Sequence, residues 1–324
     1  MKAGQCREAV QFTKMSAATN HGISLSATID GDGIGGKDWD LNDSYRYCER
    51  IARSHYENFP VGSVIVPKYL RKYFYSIYAF ARTADDFADE GYENNHSEEE
   101  RLDCLRAWLQ MLQECLRGSA SHPIFIALSD TISRFSLPAE LFEDLLSAFS
   151  QDVTKRRYES YDQLLDYCRR SANPIGRLIL LLFGHRDEAL HLMSDAICTA
   201  LQLANHWQDV RIDIGKDRLY LPLEDLSRFA VELETLIECR ASSGLRRLIE
   251  FECERAWSLF EKGKPLCTAV QGRLGIELRA VWLGGARILR GIRKNEYDVF
   301  SSRPVITKFD KLAILIGAVT RSSF

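Results

Sequence analysis

Tyr73-Phe-Tyr-Ser-Ile-Tyr-Ala-Phe80 runs without interruption into Ala81-Arg-Thr-Ala-Asp85-Asp-Phe-Ala-Asp89-Glu-Gly91. An apolar and aromatic run of this kind predicts a helix, and its continuation carries Asp85, Asp86 and Asp89 on a mostly buried element rather than in a polar loop. That is a costly place for carboxylates. At about 100° per residue, Asp85 and Asp89 lie roughly 40° apart, with Asp86 on the flank of the same face. Like charges one turn apart repel, so the patch costs helix stability unless a cation sits between them. Alone, the spacing is equally compatible with a solvated acidic face.

The surrounding composition narrows the classes of protein that remain open. With 324 residues, 46% hydrophobic and 27% charged, the chain can bury a substantial core in one large domain or two ordinary ones. A formal net charge of −3 and a pI near 6.2 give no bulk electrostatic basis for a nucleic-acid partner, and none is expected. No apolar run reaches the roughly 18 residues that a membrane span needs. The first residues also lack the continuous apolar core of a signal peptide, so a cytoplasmic location is expected. Nine cysteines, at 6, 48, 104, 115, 168, 198, 239, 253 and 267, are scattered, odd in number and without a C-x2-C pair. They read as reduced thiols that fill the core, not as disulfides or a zinc site.

Composition changes sharply once along the chain. Residues 1–40 are rich in Ser, Thr, Gly and Ala without periodicity and read as a flexible extension. Residues 41–324 read as one domain. There, apolar residues recur at helical spacing over 45–59, 68–89, 98–116, 123–135, 138–153, 161–183, 188–214, 231–241, 245–269 and 275–293. Alternating strand patterns and strand–helix repeats are missing, which predicts an all-α fold.

The extension holds a decoy. Gly31, Gly33 and Gly36 satisfy G-x-G-x-x-G, and Gly36-Lys37 nearly completes a phosphate-binding loop, but Asp38 stands where Ser or Thr is needed. The next residues are Trp39-Asp-Leu-Asn-Asp-Ser-Tyr45, not the apolar helix whose N-terminus would cradle phosphate. A calcium loop fails as well, because Leu41 falls where the bidentate Glu belongs. A linker is the simpler interpretation.

A second acidic row gives the first a partner. In 201–213 the residues Gln202, Asn205, Asp209 and Asp213 are spaced by 3, 4 and 4 positions and form one narrow polar stripe. Leu203, Trp207 and Val210 point elsewhere, toward apolar neighbours. Amides and carboxylates in a row are oxygen donors of the type that Mg2+ prefers, and that ion usually takes one or two carboxylates plus substrate phosphate and water. Two such rows across a helical bundle would bind a diphosphate through several Mg2+ ions, since carboxylates cannot hold another anion directly.

With these rows in place the chain resembles the squalene/phytoene synthase family, from about Tyr45 to Arg303. The resemblance is carried by Tyr78-Ala-Phe-Ala-Arg82-Thr-Ala-Asp85-Asp-Phe-Ala-Asp89, by Tyr167-Cys with Gly176 behind it, and by the block from Gln202 through Asn205, Asp209, Asp213, Arg218 and Tyr220 to Pro222. It implies an all-α isoprenoid synthase bundle with a central apolar cavity. Tyr56-Glu-Asn58-Phe59-Pro60 and Ser171-Ala-Asn173-Pro174-Ile-Gly176 depart from the usual family pattern. In both, and in 279–293 and 297–304, the chain is similar to the hydroxysqualene synthase branch, which acts in hopanoid-producing bacteria. The implied substrate is presqualene diphosphate, ionised, rearranged and trapped by water, with no NADPH expected.

That resemblance also implies roles. Asp85 and Asp89 would bind Mg2+ from one helix and Asn205, Asp209 and Asp213 from the other, with Asp86 a weaker candidate. Arg82, Arg218 and Tyr220 would bind diphosphate oxygens, Arg through its fixed fork of donors. Tyr78 and Tyr167 would offer ring faces or dipoles to a carbocation, although aromatics at helical spacing are commonly plain core. Gln202 is a candidate for positioning water or a cation, Asn58 and Asn173 for admitting and orienting the quenching water, and Phe59 for binding substrate beside Asn58. His206 has two readings, a base for that water or a structural hydrogen-bonding group. The second is preferred, which leaves it outside the site.

Alternatives stay open within and beyond enzymology. The chain could instead condense two prenyl diphosphates to presqualene diphosphate, squalene or phytoene, or be a catalytically silent assembly factor. An unused carboxylate cluster only costs stability, which argues against silence. A lipid substrate also implies transient contact with other enzymes of the squalene pathway and peripheral membrane contact at the inner face. The run Leu312-Ala-Ile-Leu-Ile-Gly-Ala-Val319 is too short to span a bilayer. Packing against the body is expected for it, with contact to lipid as the alternative.

Overall fold

The computed structural model describes residues 38–54, 66–93 and 96–321, without the side chains of 89–93. Residues 1–37 of the expected extension over 1–40, together with Asn58, Phe59 and the side chain of Asp89, lie outside the described residues. The chain is helical throughout the rest. Its helices are α1 (Leu41–Ser54), α2 (Arg71–Glu93), α3 (Glu98–Leu116), α4 (Pro123–Phe135), α5 (Glu140–Thr154), α6 (Tyr161–Ser171) and α7 (Asn173–Leu182). They continue with α8 (Glu188–Gly215), α9 (Leu223–Arg228), α10 (Leu233–Ile237), α11 (Ser243–Gly263), α12 (Leu266–Ala269), α13 (Gly272–Lys294) and α14 (Lys308–Thr320). No strand occurs among the described residues, as an all-α fold requires, and one isolated parallel bridge joins Arg157 to Leu219.

Local chemistry sets the ends. Ser97 and Glu100 close a reciprocal capping box on α3, and Pro123 occupies the first turn of α4 after a His122 cap. Both helices span the residues expected of them. The expected helix over 161–183 is two, because Pro174 has no N–H to give the preceding turn and the chain restarts at Asn173. Pro265 divides 245–269 into α11 and α12 in the same way. The expected 231–241 helix shrinks to α10, while α9 and α14 were not anticipated. Of the decoy, Asp40 has a plain use: its carboxylate accepts from the Asp43 N–H at 2.7 Å as α1 begins.

Apolar side chains divide the interior in two. Phe80, Phe87, Trp108 and Phe125 anchor one core among α2, α3 and α4. Leu203, Trp207, Leu248, Phe260 and Trp282 anchor the other among α8, α11 and α13. Helix α7, apolar almost all round, lies between: Leu178, Leu181 and Leu182 enter the first core and Leu180 the second. The two acid-bearing helices therefore belong to different halves, α2 to the first and α8 to the second, and α7 packs on both.

Close approach of α7 to α8 depends on Gly176. A Cβ there would stand 2.4 Å from Ser194 Oγ and 2.6 Å from Cys198 Sγ. The eight described cysteines are all free, as expected of a reduced chain, and five of them are buried. Behind α8, Arg255 on α11 donates to Asp225 at 2.6 Å and to Glu252 at 3.1 Å, with Glu252 fully buried. Burial outweighs the nearby guanidinium and pushes the Glu252 carboxyl up to about 8.

This packing makes two measurable predictions. Gly176→Val should lower stability by about 1–3 kcal/mol through overpacking, read as a lower urea midpoint with an unchanged helical circular dichroism spectrum. Folded Glu252 keeps its proton to about pH 8, whereas the unfolded chain releases it near 4.5. Stability should therefore fall as pH rises between those values, by at most about 1.4 kcal/mol per unit, and Glu252→Gln should flatten that slope in urea melts.

Candidate active site

Helix α2 turns Thr83, Ala84, Phe87 and Ala88 into the core, which leaves Arg82, Asp85 and Asp86 on a half-buried flank. Arg82 supplies the cation that the acidic patch needs. Its Nη1 lies 3.1 Å from Asp85 Oδ2, and its Nη2 contacts Asp86 Oδ1. Tyr78 stands one turn earlier. Burial raises its hydroxyl above the ordinary value, Asp86 and Asp85 push the same way, and Arg82 opposes them. A neutral phenol thus neighbours the arginine and its acids.

On α8, Leu203, Trp207 and Val210 are buried as the stripe pattern requires. The polar row is wetter than a buried helix implies: Asn205 is exposed, and Gln202, Asp209 and Asp213 are half-buried. Asp209 is gripped by Arg303, whose Nε donates at 2.5 Å and Nη2 at 3.1 Å to its two oxygens. Those bonds raise the Arg303 guanidinium above its ordinary value, burial opposes them, and the Asp213 charge adds to the attraction. The segment carrying Arg303 is strapped along α8 by Gln208 donating to the Pro304 carbonyl at 2.5 Å and Arg211 donating to the Phe300 carbonyl at 3.0 Å.

The end of α8 meets the α5–α6 connection through backbone bonds. Leu219 N–H donates to the Arg156 carbonyl at 2.9 Å and Leu223 N–H to the Tyr158 carbonyl at 2.9 Å. Asp217, at φ 56°, turns the chain back, and its carbonyl and carboxylate both accept from Arg157 at 2.6 Å. This clip seats Tyr220 among aromatic rings, with centroids 5.7 Å from Tyr158 and 5.9 Å from Tyr167. Tyr167 donates its hydroxyl to Asp152 at 2.8 Å, and Arg218 donates to the Asp152 carbonyl at 3.3 Å. Burial, then the Asp152 charge, pushes the Tyr167 and Tyr220 hydroxyls well above the ordinary phenol range, so both remain proton donors.

His206 differs from its expected structural hydrogen-bonding role. It stacks on Tyr220 with centroids 3.6 Å apart and planes 15° from parallel, and its buried Nε2 has no hydrogen-bond partner among the described residues. Burial holds its pKa down at about 3, so the ring is a neutral slab. Asn173 is likewise tied into the frame, its Oδ1 accepting from Thr199 Oγ1 at 2.9 Å across the α7–α8 contact.

The sequence blocks put Tyr78, Arg82, Asp85 and Asp86 together, and Asp213 with Arg218 and Tyr220; the structure places each set together and adds Tyr167, from a separate block, to the second. Sequence reasoning missed Asp152, Tyr158 and Arg303. Arg303 lies 94 positions from Asp209, and no linear pattern pairs them. Asp152 sits beside the buried Val153 near the end of α5, where its tertiary contacts with Tyr167 and Arg218 mark it out.

Oxygen donors in both rows are chemically suited to Mg2+. Among the described residues no group of three or more His, Cys, Asp or Glu side chains is close enough to hold a metal by itself. Acids shared with arginines, in pairs, suit an ion that keeps waters and takes part of its shell from a substrate phosphate, not a resident structural metal.

A helical bundle with these acid and arginine rows has the architecture of the isoprenoid synthases, and solved structures agree. Squalene synthase HpnC from Alicyclobacillus acidocaldarius is 42% identical with a TM-score of 0.75, covering 82% of this chain and 98% of that one. Hydroxysqualene synthase of Zymomonas mobilis is 36% identical over 278 residues, 83% of this chain and 89% of the relative. Phytoene synthase of Arthrospira platensis is 27% identical over 294 residues, 87% and 94% of the two chains. The squalene/phytoene synthase family model matches residues 52–310. The chain belongs to the squalene/phytoene synthase family.

The Tyr167 bond to a charged acceptor gives a direct check of the frame. Tyr167→Phe should lose about 1.5–3 kcal/mol of stability in chemical denaturation, with Asp152→Asn showing a similar loss and the double variant less than the sum.

Proposed function

We propose that the protein is a hydroxysqualene synthase, converting presqualene diphosphate and water to hydroxysqualene and diphosphate. The observation that carries it is the pairing of both acid rows with arginine, Arg82 with Asp85 and Asp86, and Arg303 with Asp209. Relatives bearing that enzyme's name are 33–36% identical to this chain. A family of prenyl diphosphate-processing enzymes makes the leaving group a diphosphate.

Asp85, Asp89, Asn205, Asp209 and Asp213 would hold Mg2+, which when bound neutralises the charge of a departing diphosphate. Arg82, Arg218 and Arg303 offer guanidinium forks that match diphosphate oxygens, and Tyr220 adds a neutral O–H donor. As the C–O bond breaks, its electron pair leaves with the diphosphate. Tyr78, Tyr167 and Tyr158, kept as neutral phenols, present ring faces and dipoles to the cation without a nucleophilic phenolate that would capture it. The rearranged cation forms its new C–O bond with water, whose proton passes to solvent. No hydride enters, so NADPH is not needed. Asn58, Asn173 and Gln202 remain the candidates for placing that water, and Phe59 for binding substrate.

The second reading is condensation of two prenyl diphosphates, favoured by the phytoene synthase relative, 94% of whose length is covered. Purified protein with Mg2+ and no reductant should turn over presqualene diphosphate and leave farnesyl diphosphate unchanged. Consumption of farnesyl diphosphate alone would instead support condensation. Asp85→Ala and Asp209→Ala should each cut turnover about a hundredfold or more while remaining folded. Unchanged rates would remove the acid rows from the chemistry.

A further inference from the structure

We propose that α14 docks the protein on a membrane, seating its outer apolar face in an anionic phospholipid surface. The helix is fixed from its inner side. Thr307 and Asp310 form a capping box at its start, and Asp310 also pairs with Arg287 of α13. Near its end the buried Arg279 of α13 donates to the Ala318 carbonyl at 2.5 Å and to the Cys267 carbonyl at 2.9 Å. Gly317 and Ala318, small enough for a close approach, are the buried residues of the helix.

The remaining large side chains face outward. Phe309, Leu312, Leu315, Ile316 and Val319 are between 52% and 85% exposed. At about 100° per residue these five fall within an arc of roughly 120°, opposite the packed line. With Val305 they make up six of the twelve large apolar side chains exposed among the described residues, so the patch is local to this segment. A soluble surface does not gather apolar groups in this way without a contact to make.

Charge identifies the occupant. Lys308 lies within the arc at the first turn and Lys311 on its border, both exposed, while the one acid of the helix, Asp310, is already held by Arg287. The chain as a whole carries a formal net charge of −3, so this cluster of cations runs against the average. Two copies meeting through α14 across a two-fold axis would bring like charges together, whereas anionic headgroups complement them. A helix of 13 residues, about 20 Å long, cannot span a bilayer but suits the interfacial plane. No helix among the described residues is long and apolar enough to cross. Docking rests on the proposed function only for its use, since a lipid substrate and a lipid product would be exchanged with that surface.

Flotation of the full chain with phosphatidylcholine vesicles, with and without phosphatidylglycerol, tests this without any turnover, so failure here and failure to form hydroxysqualene are separate results. The protein should float with the anionic vesicles. Leu312→Glu/Ile316→Glu should reduce binding about tenfold or more, and Lys308→Glu/Lys311→Glu should remove the preference for anionic lipid. Because the lysines are exposed, the second variant keeps the test valid if the first melts early. Absence of wild-type binding, binding unchanged in both variants, or a concentration-dependent dimer by light scattering that Ile316→Glu dissolves without any vesicle binding would each overturn the proposal.

Discussion

Carboxylates one helical turn apart repel, and both acid-bearing helices are stable here because a guanidinium is lodged against each row. Arg82 comes from the same helix as its acids. Arg303 arrives from beyond α13, placed by the Gln208 and Arg211 bonds to the carbonyls around it. The electrostatics of α8 therefore depends on the far end of the chain being correctly docked. Arg279 completes that dependence by pinning α14, the next element along the chain.

The division of the core explains how the rows are kept as separate units. Helix α7, greasy on nearly every side, lies between the two halves and presses on α8 through the space that Gly176 leaves open. Around the end of α8 the Tyr158, Tyr167, Tyr220 and His206 rings form a stack of neutral groups held neutral by burial. Such surroundings favour an electron-poor guest through ring faces and fixed dipoles, with the Asp152 carboxylate held by the Tyr167 hydroxyl.

Much of this was legible in the linear pattern where the cause is local. Ser97 with Glu100 marks the start of α3, and the spacing of Gln202, Asn205, Asp209 and Asp213 shows a stripe on α8 because both arise from helix geometry alone. The break at Ala172 was hidden, since apolar residues continue at the same period on either side of Pro174. Helix α14 was hidden for the opposite reason: it buries glycine and alanine and exposes its large apolar groups, inverting the usual amphipathic signal. Asp152 and Arg303 could not be found in advance because tertiary contacts create their roles. His206 was legible as a polar residue beside the stripe, but its stacking on Tyr220 depends on the clip between Arg157 and Leu219, which no linear pattern shows.

The most direct measurement is product analysis in heavy-oxygen water. Purified protein, Mg2+ and presqualene diphosphate should give hydroxysqualene whose hydroxyl carries one labelled oxygen, with equimolar diphosphate released. An unlabelled alcohol, a hydrocarbon as the sole product, or no consumption of presqualene diphosphate by folded protein would contradict the account.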